Sequence, residues 1–223
     1  MRALLLVMCL HLAGVAFGDE NIYYDTANRI GVDPILLQSV VKVESGGYPW
    51  TINVDGEPII FATKSDLLSG YRWISEHPYL VRTYRNRAWH RHWFATLHDA
   101  ETYFVTERDA DRVSRLPRKL QTSIRRVNPI NTDFGVMQIN WRQHHRAAGD
   151  NIERLVDPRF NLEFGCRLLA GLIGRYGTWQ GIARYHSATP ALQIKYQKRI
   201  WVAYQQIKAI TARNIDLATG TTY

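Results

Sequence analysis

Apolar residues recur at helical spacing over most of this chain. In the first half, the spacing predicts helices over Asn21–Ile30, Asp33–Ser45 and Lys64–Ile74. In the second half, it predicts helices over Asn161–Tyr176, Thr178–Tyr185 and Pro190–Lys208. The pattern is typical of a mainly α protein.

One short segment has the pattern of extended strands instead of helix. Two extended runs, Ile52–Val54 and Pro58–Phe61, flank Asp55-Gly56, a dipeptide that favours tight turns between strands. This predicts a small β-hairpin. The section that follows, residues 62–131, has weaker periodicity, and we expect helix around Tyr79–Tyr103 and over Asp109–Arg126. The sequence therefore predicts a helical domain with a small hairpin and a helical insertion.

The first eighteen residues have the composition of a secretory signal. Arg2 gives the positive start, an apolar run ends at Phe17, and small residues lie where a signal peptidase would cut. The run is too short for a membrane span. Cys9 lacks the small preceding residue usual in lipoprotein signals, so we expect no lipid anchor. Export with cleavage of residues 1–18 is predicted.

About two hundred residues remain after the signal, enough for one domain with a proper core. We expect a single domain over residues 19–208 and a loose tail over 209–223. Cys166 is the remaining cysteine, so no intramolecular disulfide can form. Its apolar helical setting predicts a buried small hydrophobe.

Positive charge is concentrated in the middle of the chain. The whole chain has 28 Lys+Arg and 20 Asp+Glu, a net charge of +8. Without the signal, 27 basic and 20 acidic residues leave +7, and residues 62–131 alone hold 13 basic and 7 acidic residues, or +6. A basic exported protein suits an anionic partner such as cell-wall polymer, a membrane surface or nucleic acid.

Glu44 is the first candidate for chemistry. Asp33 can cap its helix, Pro34 suits the first turn, and Gly46-Gly47 ends the helix just after Glu44. The helix dipole and apolar neighbours would both raise the pKa of this carboxyl. A carboxylic acid still protonated near neutral pH can act as a general acid. A solvated glutamate at a helix end is the alternative.

Three further segments accompany Glu44-Ser45-Gly46-Gly47. They are Gly135-Val136-Met137-Gln138-Ile139, then Asn161-Leu162-Glu163-Phe164-Gly165, then Ala183-Arg184-Tyr185-His186. In this order they resemble the soluble lytic transglycosylase family, which has Glu-Ser, Gly-Leu-Met-Gln-Ile, Asn-x-x-x-Gly and Ala-x-Tyr-Asn. The resemblance is greatest to small members that accompany conjugation, secretion or pilus machines. It covers residues 33–56 and 132–205, and it weakens across the insertion.

The resemblance implies a lysozyme-like, mainly α fold of the α+β kind. It also implies cleavage of the β-1,4 bond between N-acetylmuramic acid and N-acetylglucosamine in the periplasm. One glutamate, here Glu44, would protonate the glycosidic oxygen and then accept the proton of the muramyl C6 hydroxyl, giving a 1,6-anhydro product. Ordinary glycosidases need two carboxylates. No cofactor is expected.

The resemblance also implies roles for the matching residues. Ser45 would hold the sugar or orient the acid, and Met137 would pack on the sugar face. Gln138 and Asn140 would line the cleft, although Asn140 also suits a structural role, and Tyr185 would direct its hydroxyl to Glu44. His186 stands where the family has asparagine. We include these residues, Ser45, Met137, Gln138, Asn140, Tyr185 and His186, as candidates for substrate binding.

Other readings of the polar residues stay open. Asp133 could be a second carboxylate, although a cap before a turn is favoured. His90, His92 and His98 lie among tryptophans but have no recognisable zinc spacing, so no metal is expected. The arginine-rich stretch over Arg82–Trp93 could bind single-stranded nucleic acid, but in an exported protein it favours a solvated face or contact with anionic wall polymer.

Three other functions compete with transglycosylase activity. The nearest is a goose-type muramidase on the same fold, in which water replaces the C6 hydroxyl. The second is a non-catalytic wall-binding component of a secretion complex, which the presence of Glu44 and Tyr185 disfavours. The third is a DNA-handling protein, which the export signal disfavours, so no nucleic acid partner is expected. Peptidoglycan glycan strands are the expected partner, together with a secretion, conjugation or pilus machine.

Overall fold

The computed structural model describes residues 21–114, 117 and 121–219, so the predicted signal lies outside the described residues. The helices are α1 (Asn21–Ile30), α2 (Pro34–Ser45), α3 (Lys64–Glu76), α4 (Leu97–Ser114), α5 (Trp141–His144), α6 (Ile152–Leu155), α7 (Pro158–Tyr176), α8 (Thr178–His186) and α9 (Pro190–Thr219). The strands are β1 (Thr51–Val54), β2 (Glu57–Ile60), β3 (Tyr79–Arg85), β4 (Ala88–Phe94), β5 (Ser123–Arg126), β6 (Thr132–Phe134) and β7 (Ile139–Asn140). The fold of the described residues is mainly α, as predicted, and it includes small antiparallel sheets of four and three strands where one hairpin was expected.

Helix α2 begins and ends as its sequence predicts. The Asp33 carboxylate accepts hydrogen bonds from the backbone amides of Ile35, at 2.8 Å, and Leu36, at 3.2 Å. Gly46 has a φ of 68°, and its amide donates to the carbonyl of Lys42. A left-handed residue of this kind is a common helix end, and glycine adopts it without steric cost. The end of α2 is therefore fixed immediately after Glu44.

A four-stranded antiparallel sheet lies beside the helices in the order β2-β1-β6-β7. The predicted hairpin is confirmed as β1 and β2, joined at Asp55-Gly56, where both residues have positive φ. Across the sheet, Asn53 of β1 is paired with Asp133 of β6, and Asp133 with Asn140 of β7. Paired residues in neighbouring strands lie on the same face. This register puts three polar side chains in one row.

The prediction of a helical insertion is wrong. Residues 79–94 form the hairpin of β3 and β4, and β5 completes a second antiparallel sheet in the order β4-β3-β5. Asn86 and Arg87 both have positive φ, the backbone that a two-residue turn between twisted strands requires. Helix α4 runs from Leu97 to Ser114, so it overlaps the ends of both expected stretches and also covers residues 104–108 between them.

Ion pairs join the insertion to the first sheet. The Glu57 carboxylate on β2 is 4% exposed and lies 2.8 Å from Arg91, 3.1 Å from Arg125 and 3.5 Å from Arg82. Arg125 also bonds the carboxylate of Asp55 at 3.1 Å. These three arginines come from β3, β4 and β5. Arg82 and Arg91, two of the arginines that the sequence assigned to a solvated face, are therefore paired at this junction.

The core lies between α2, α7, α8, α9 and the first sheet. Its fully buried members include Leu37, Val40, Ile52, Phe134, Leu162, Leu169 and Ile200. Cys166 is also buried, as predicted, and burial raises the pKa of its thiol to about 11. Helix α9 continues to Thr219, where a loose tail was expected from residue 209. In the described part of the chain, no helix has the length and apolar character needed to cross a bilayer.

Candidate active site

Glu44 lies in the last turn of α2, with its side chain 12% exposed. Helix α9 packs along α2 and covers this end. The Arg199 guanidinium on α9 donates a 3.0 Å hydrogen bond to the carbonyl of Val43, one of the unpaired carbonyls at the end of α2. The carboxyl of Glu44 is therefore held in a largely dry position next to a fixed cation.

The surroundings of Glu44 raise its pKa to about 7. Burial is the largest cause, and the negative charge of Asp133 raises it further. The hydroxyl of Tyr196 and the charge of Arg199 act in the opposite direction. The Tyr196 hydroxyl is buried and makes no hydrogen bond of ordinary geometry within the described residues, so its effect comes from proximity to the carboxylate. Glu44 can therefore carry a proton at neutral pH, as the sequence predicted.

His186 is the partly exposed neighbour of Glu44. Its Nδ1 lies 3.9 Å from Oε1 of Glu44, and its side chain is 38% exposed. The imidazole stacks on the ring of Tyr196, with centroids 4.5 Å apart and planes 3° from parallel. Burial, and to a lesser extent the charge of Arg199, lowers the pKa of His186. The position occupied by asparagine in the resembled family thus carries a titratable ring beside the candidate acid.

No protein-family model, no curated protein and no solved structure matches this chain.

Tyr185 does not donate to Glu44, contrary to our expectation. Its hydroxyl donates a 2.7 Å hydrogen bond to the carbonyl of Met137. The negative charge of Glu44 still adds to burial in raising the pKa of Tyr185, so the two groups are electrostatic neighbours. The bond ties α8 to the turn between β6 and β7. Tyr185 therefore positions the loop that carries the Gly-Val-Met-Gln-Ile motif.

Met137 also departs from its expected role. Its side chain is fully buried, so it cannot lie on a sugar face. It packs against α7, where a Cβ added to Gly165 would lie only 2.5 Å from that of Met137. The Met137 amide donates to Oδ1 of Asn161 at 2.8 Å, while the Asn161 amide donates to the carbonyls of Phe134 and Leu155. The Asn-x-x-x-Gly pattern thus holds the loop against α7.

Ser45 and Gln138 use their polar groups locally. The Ser45 hydroxyl donates to the carbonyl of Val41 and accepts from the amide of Gly47, so it stabilises the end of α2. Gln138 has a φ of 48°, and its side-chain amide donates to the carbonyl of Gly135 at 2.8 Å. Ser45 thus shapes the backbone next to Glu44 and Gln138 shapes the turn between β6 and β7, and neither side chain bonds the Glu44 carboxylate within the described residues.

Asp133 lies within β6, so its interpretation as a cap before a turn is wrong. The Asn140 amide donates to Oδ1 of Asp133 at 2.8 Å, while Asn140 caps α5 by accepting from the amide of Gln143. On the other side of Asp133, Oδ1 of Asn53 is buried without a hydrogen bond in the described part of the structure. Burial raises the pKa of Asp133. A second carboxyl therefore acts electrostatically on Glu44.

Sequence reasoning missed Tyr196 and Arg199. Both lie on α9, about 150 positions after Glu44 in the chain, and the tyrosine belongs to the apolar stripe that includes Ile200 and Ala203. That stripe predicts a buried helix face but not which helix end it covers. The tyrosine in this stripe was the signal that could have indicated a polar site, because a buried hydroxyl usually needs a polar neighbour.

The histidines of the insertion serve local contacts. His92 lies 3.2 Å from the hydroxyl of Tyr103 and 3.4 Å from that of Thr83. His90 contacts the carbonyl of Arg85. Across residues 21–114, 117 and 121–219, no three histidine, cysteine or acidic side chains are grouped as metal ligands.

A shallow cavity of about 450 Å³ lies between α8 and α9, lined by Trp179, Gln197, Lys198, Trp201 and Val202. None of these residues is among the groups that act on Glu44. This cavity is therefore separate from the candidate acid.

Proposed function

We propose that the protein is a peptidoglycan lytic transglycosylase in which Glu44 is the general acid. One observation carries the proposal: the Glu44 carboxyl is held in a buried position, with a pKa of about 7, at the end of a helix. An acid of this kind keeps its proton near neutral pH and can give it to a leaving group. Efficient acids have a pKa near the working pH. An ordinary surface glutamate would be ionised at that pH.

The first step transfers the Glu44 proton to the glycosidic oxygen between N-acetylmuramic acid and N-acetylglucosamine. The bond from that oxygen to C1 breaks, and the substrate N-acetyl group stabilises the resulting centre. The muramyl C6 hydroxyl then closes on C1 and loses its proton to the Glu44 carboxylate, which is restored to the acid. The products are a 1,6-anhydro end and a free N-acetylglucosamine hydroxyl, and no water is consumed.

The order of the four motifs supports this assignment, and the contacts give each motif a physical purpose. Asn161 and Gly165 hold the loop that contains Met137, and Tyr185 closes that loop from α8. The loop is thereby fixed to α7 and α8. Preorganised surroundings of this kind keep a catalytic group in its productive position. A lysozyme-like arrangement of helices beside a small sheet is part of the proposal.

Hydrolysis by a muramidase is the second candidate, and Asp133 favours it. This carboxyl acts on Glu44 and stands in a row of polar side chains with Asn53 and Asn140. A second carboxylate beside the acid could activate a water molecule, as in glycosidases that use two carboxyl groups. The product would then carry a reducing end in place of the anhydro ring.

The cellular setting is part of the same proposal. The signal-like residues 1–18 support export to the periplasm, where glycan strands are the substrate. The exposed arginines of the insertion, among them Arg72, Arg87 and Arg126, suit contact with anionic wall polymer. A secretion, conjugation or pilus machine is the proposed partner, because such machines cross the wall.

Product analysis tests the function. Purified sacculi are digested with the protein, the soluble muropeptides are separated, and their masses are measured by mass spectrometry. Anhydro ends, which are lighter than reducing ends by one water molecule, are the expected result. Reducing ends would establish the muramidase, and binding without release of muropeptides would establish a wall-binding component.

A further inference from the structure

The carboxyl of Glu44 and the imidazole of His186 form a pair with opposite exposure. Glu44 is 12% exposed and His186 is 38% exposed, and 3.9 Å separates Oε1 from Nδ1. The flat stack on Tyr196 fixes the plane of the imidazole. The ring is therefore held with one nitrogen towards the acid, and part of its surface is open to solvent.

Three of the other groups around this pair are poor proton acceptors, and the fourth, the Asp133 carboxylate, is the acceptor that the muramidase would use. The hydroxyl of Tyr185 is already bonded to the Met137 carbonyl, and Tyr196 lies under the imidazole. Arg199 is a permanent cation, bonded to the carbonyl of Val43. Asp133 is half-buried and bonded by Asn140. His186 presents Nδ1 of a partly exposed imidazole 3.9 Å from the acid.

We infer that His186 is the general base of the reaction proposed for this site, so that acid and base are two residues. The inference rests on the proposed function and changes one of its steps. Glu44 gives its proton to the glycosidic oxygen as the C1–oxygen bond breaks. Nδ1 of His186 takes the proton of the C6 hydroxyl as its oxygen bonds to C1. The imidazolium then returns that proton to the Glu44 carboxylate, which restores both groups.

The surroundings of the pair separate the two roles. The pKa of Glu44 is raised to about 7 by burial and Asp133, while burial and Arg199 lower the pKa of His186. The pKa values of the carboxyl and the imidazole are thereby shifted towards each other from their usual values. When the surroundings shift the pKa values of two neighbouring titratable groups in opposite directions, the two groups are candidates for an acid and a base. At neutral pH the carboxyl can hold a proton while the imidazole is neutral.

The separation of 3.9 Å is longer than a hydrogen bond but suits a pair that acts in sequence. A bridging water, or closure around substrate, brings such groups into proton-transfer range. The base also needs a free Nδ1, so the ring proton must be on Nε2. That tautomer is a specific requirement of the inference.

The pH profile of cleavage tests the base. Release of muropeptides is measured between about pH 5 and 9. The wild type should show two limbs: activity is lost as pH rises through about 7, where Glu44 ionises, and as pH falls through the lowered pKa of His186. His186→Asn keeps a polar side chain but cannot titrate. The variant should lose the acid limb, which is the fall in activity at low pH, and keep the alkaline limb. Its activity at neutral pH should fall by only about 10²-fold, because Glu44 can still accept the proton.

His98→Asn is the matched control, because His98 is exposed on α4 and the chemical change is the same. It should leave both limbs in place. Thermal unfolding of all variants shows whether they fold, and His186→Gln repeats the test if the asparagine variant unfolds. A folded His186 variant that retains the acid limb, or cleaves as fast as the wild type, would overturn the inference.

Nitrogen NMR of the wild type gives a result that does not depend on activity. With ¹⁵N-labelled histidine, the His186 ring should be neutral at pH 7 with its proton on Nε2. A cationic ring, or a proton on Nδ1, would overturn the inference. If the wild type releases no muropeptides from sacculi, the proposed function fails. If it releases anhydro products with no acid limb, the function stands and the base assignment fails.

Discussion

The hydroxyl of Tyr185 donates to the carbonyl of Met137, 2.7 Å away, instead of to Glu44. This contact joins α8 to the loop between β6 and β7, which α7 holds from the other side through Asn161. The Tyr-containing motif and the Met-containing motif therefore contact each other and together hold the loop between β6 and β7 in place. The candidate acid stands beside these motifs, and the group that faces it directly is the imidazole of His186.

Tyr185→Phe should act mainly on stability. The substitution leaves the Met137 carbonyl without its donor, and a buried unsatisfied group costs about 1–3 kcal/mol. Urea unfolding measures the loss, and cleavage of sacculi should fall much less than in Glu44→Gln. Unchanged stability together with complete loss of cleavage would mean that the hydroxyl acts in the reaction.

Asp133→Asn should move the alkaline limb of activity to lower pH. The negative charge of Asp133 raises the pKa of Glu44, so removing that charge lowers the pKa and the acid loses its proton earlier as pH rises. Activity on the acidic side of the limb should persist. The measurement is the rate of muropeptide release as a function of pH, with Asp150→Asn as a control at an exposed carboxylate.

Loss of activity at every pH in Asp133→Asn, as complete as that of Glu44→Gln, would instead show that both carboxyls take part. That result, with reducing ends in the product, would favour the muramidase.

Glu57→Gln should destabilise the fold by about 1–3 kcal/mol, because it removes the charged hydrogen-bond acceptor that three partly exposed arginines share. Burial raises the pKa of Glu57, but hydrogen bonds from Arg91 and Arg125 outweigh it and the net shift is downward. The stabilisation is therefore complete above the unfolded pKa and is lost as pH falls through the lower folded value. Urea unfolding near neutral pH and in acid measures both effects.

Glu163→Gln is the control for that measurement. Glu163 pairs with Arg29 and Arg167 at an exposed position, where ion pairs contribute about 0–1 kcal/mol. Equal losses in the two variants would contradict a special role for the Glu57 junction.

The charge of the insertion should act on binding to the wall. Arg82 and Arg85 are held in ion pairs, so reversing them would disturb the fold. Arg72, Arg87 and Arg126 are exposed and suit the test better. Changing these three arginines to glutamate should lower the fraction of protein that co-sediments with sacculi at low salt. Added salt should remove the difference, because charges are screened beyond a Debye length of about 8 Å at physiological ionic strength. Cleavage of a short soluble glycan should persist.

If that triple variant binds sacculi normally but no longer cleaves the short glycan, the insertion forms part of the substrate-binding surface. The division into a catalytic part and a charged accessory part would then be wrong.

Local signals predicted the parts of the fold that local interactions build. The Asp33 cap, the Gly46 stop and the Asp55-Gly56 turn lie within a few residues of the elements that they define, and the sequence predicted all three. The second sheet was missed because β3 gains its stability from pairing with β4 and β5 and from arginines that reach Glu57 on β2. Such long-range contacts override the weak helical periodicity of Tyr79–Phe94.

The site shows the same division. The position of Glu44 at a helix end could be predicted because the cap and the glycines that define the helix lie nearby in the chain, whereas the burial and the Asp133 charge that raise its pKa come from distant segments. The burial of Met137 depends on Gly165, and the approach of Tyr196 and Arg199 depends on how α9 packs on α2. Neither relationship is encoded at short range, so the expected roles of Met137 and Tyr185 did not match the structure.

The most direct test of the account is the release of anhydro-muropeptides from sacculi by wild-type protein and by Glu44→Gln. The amide keeps the shape of the carboxyl but cannot carry a proton, and general acid catalysis contributes about 10²–10⁴-fold. We predict a loss of at least 10²-fold in Glu44→Gln, with thermal unfolding close to that of the wild type. Near wild-type release by the folded variant would contradict the assignment of Glu44 as the acid.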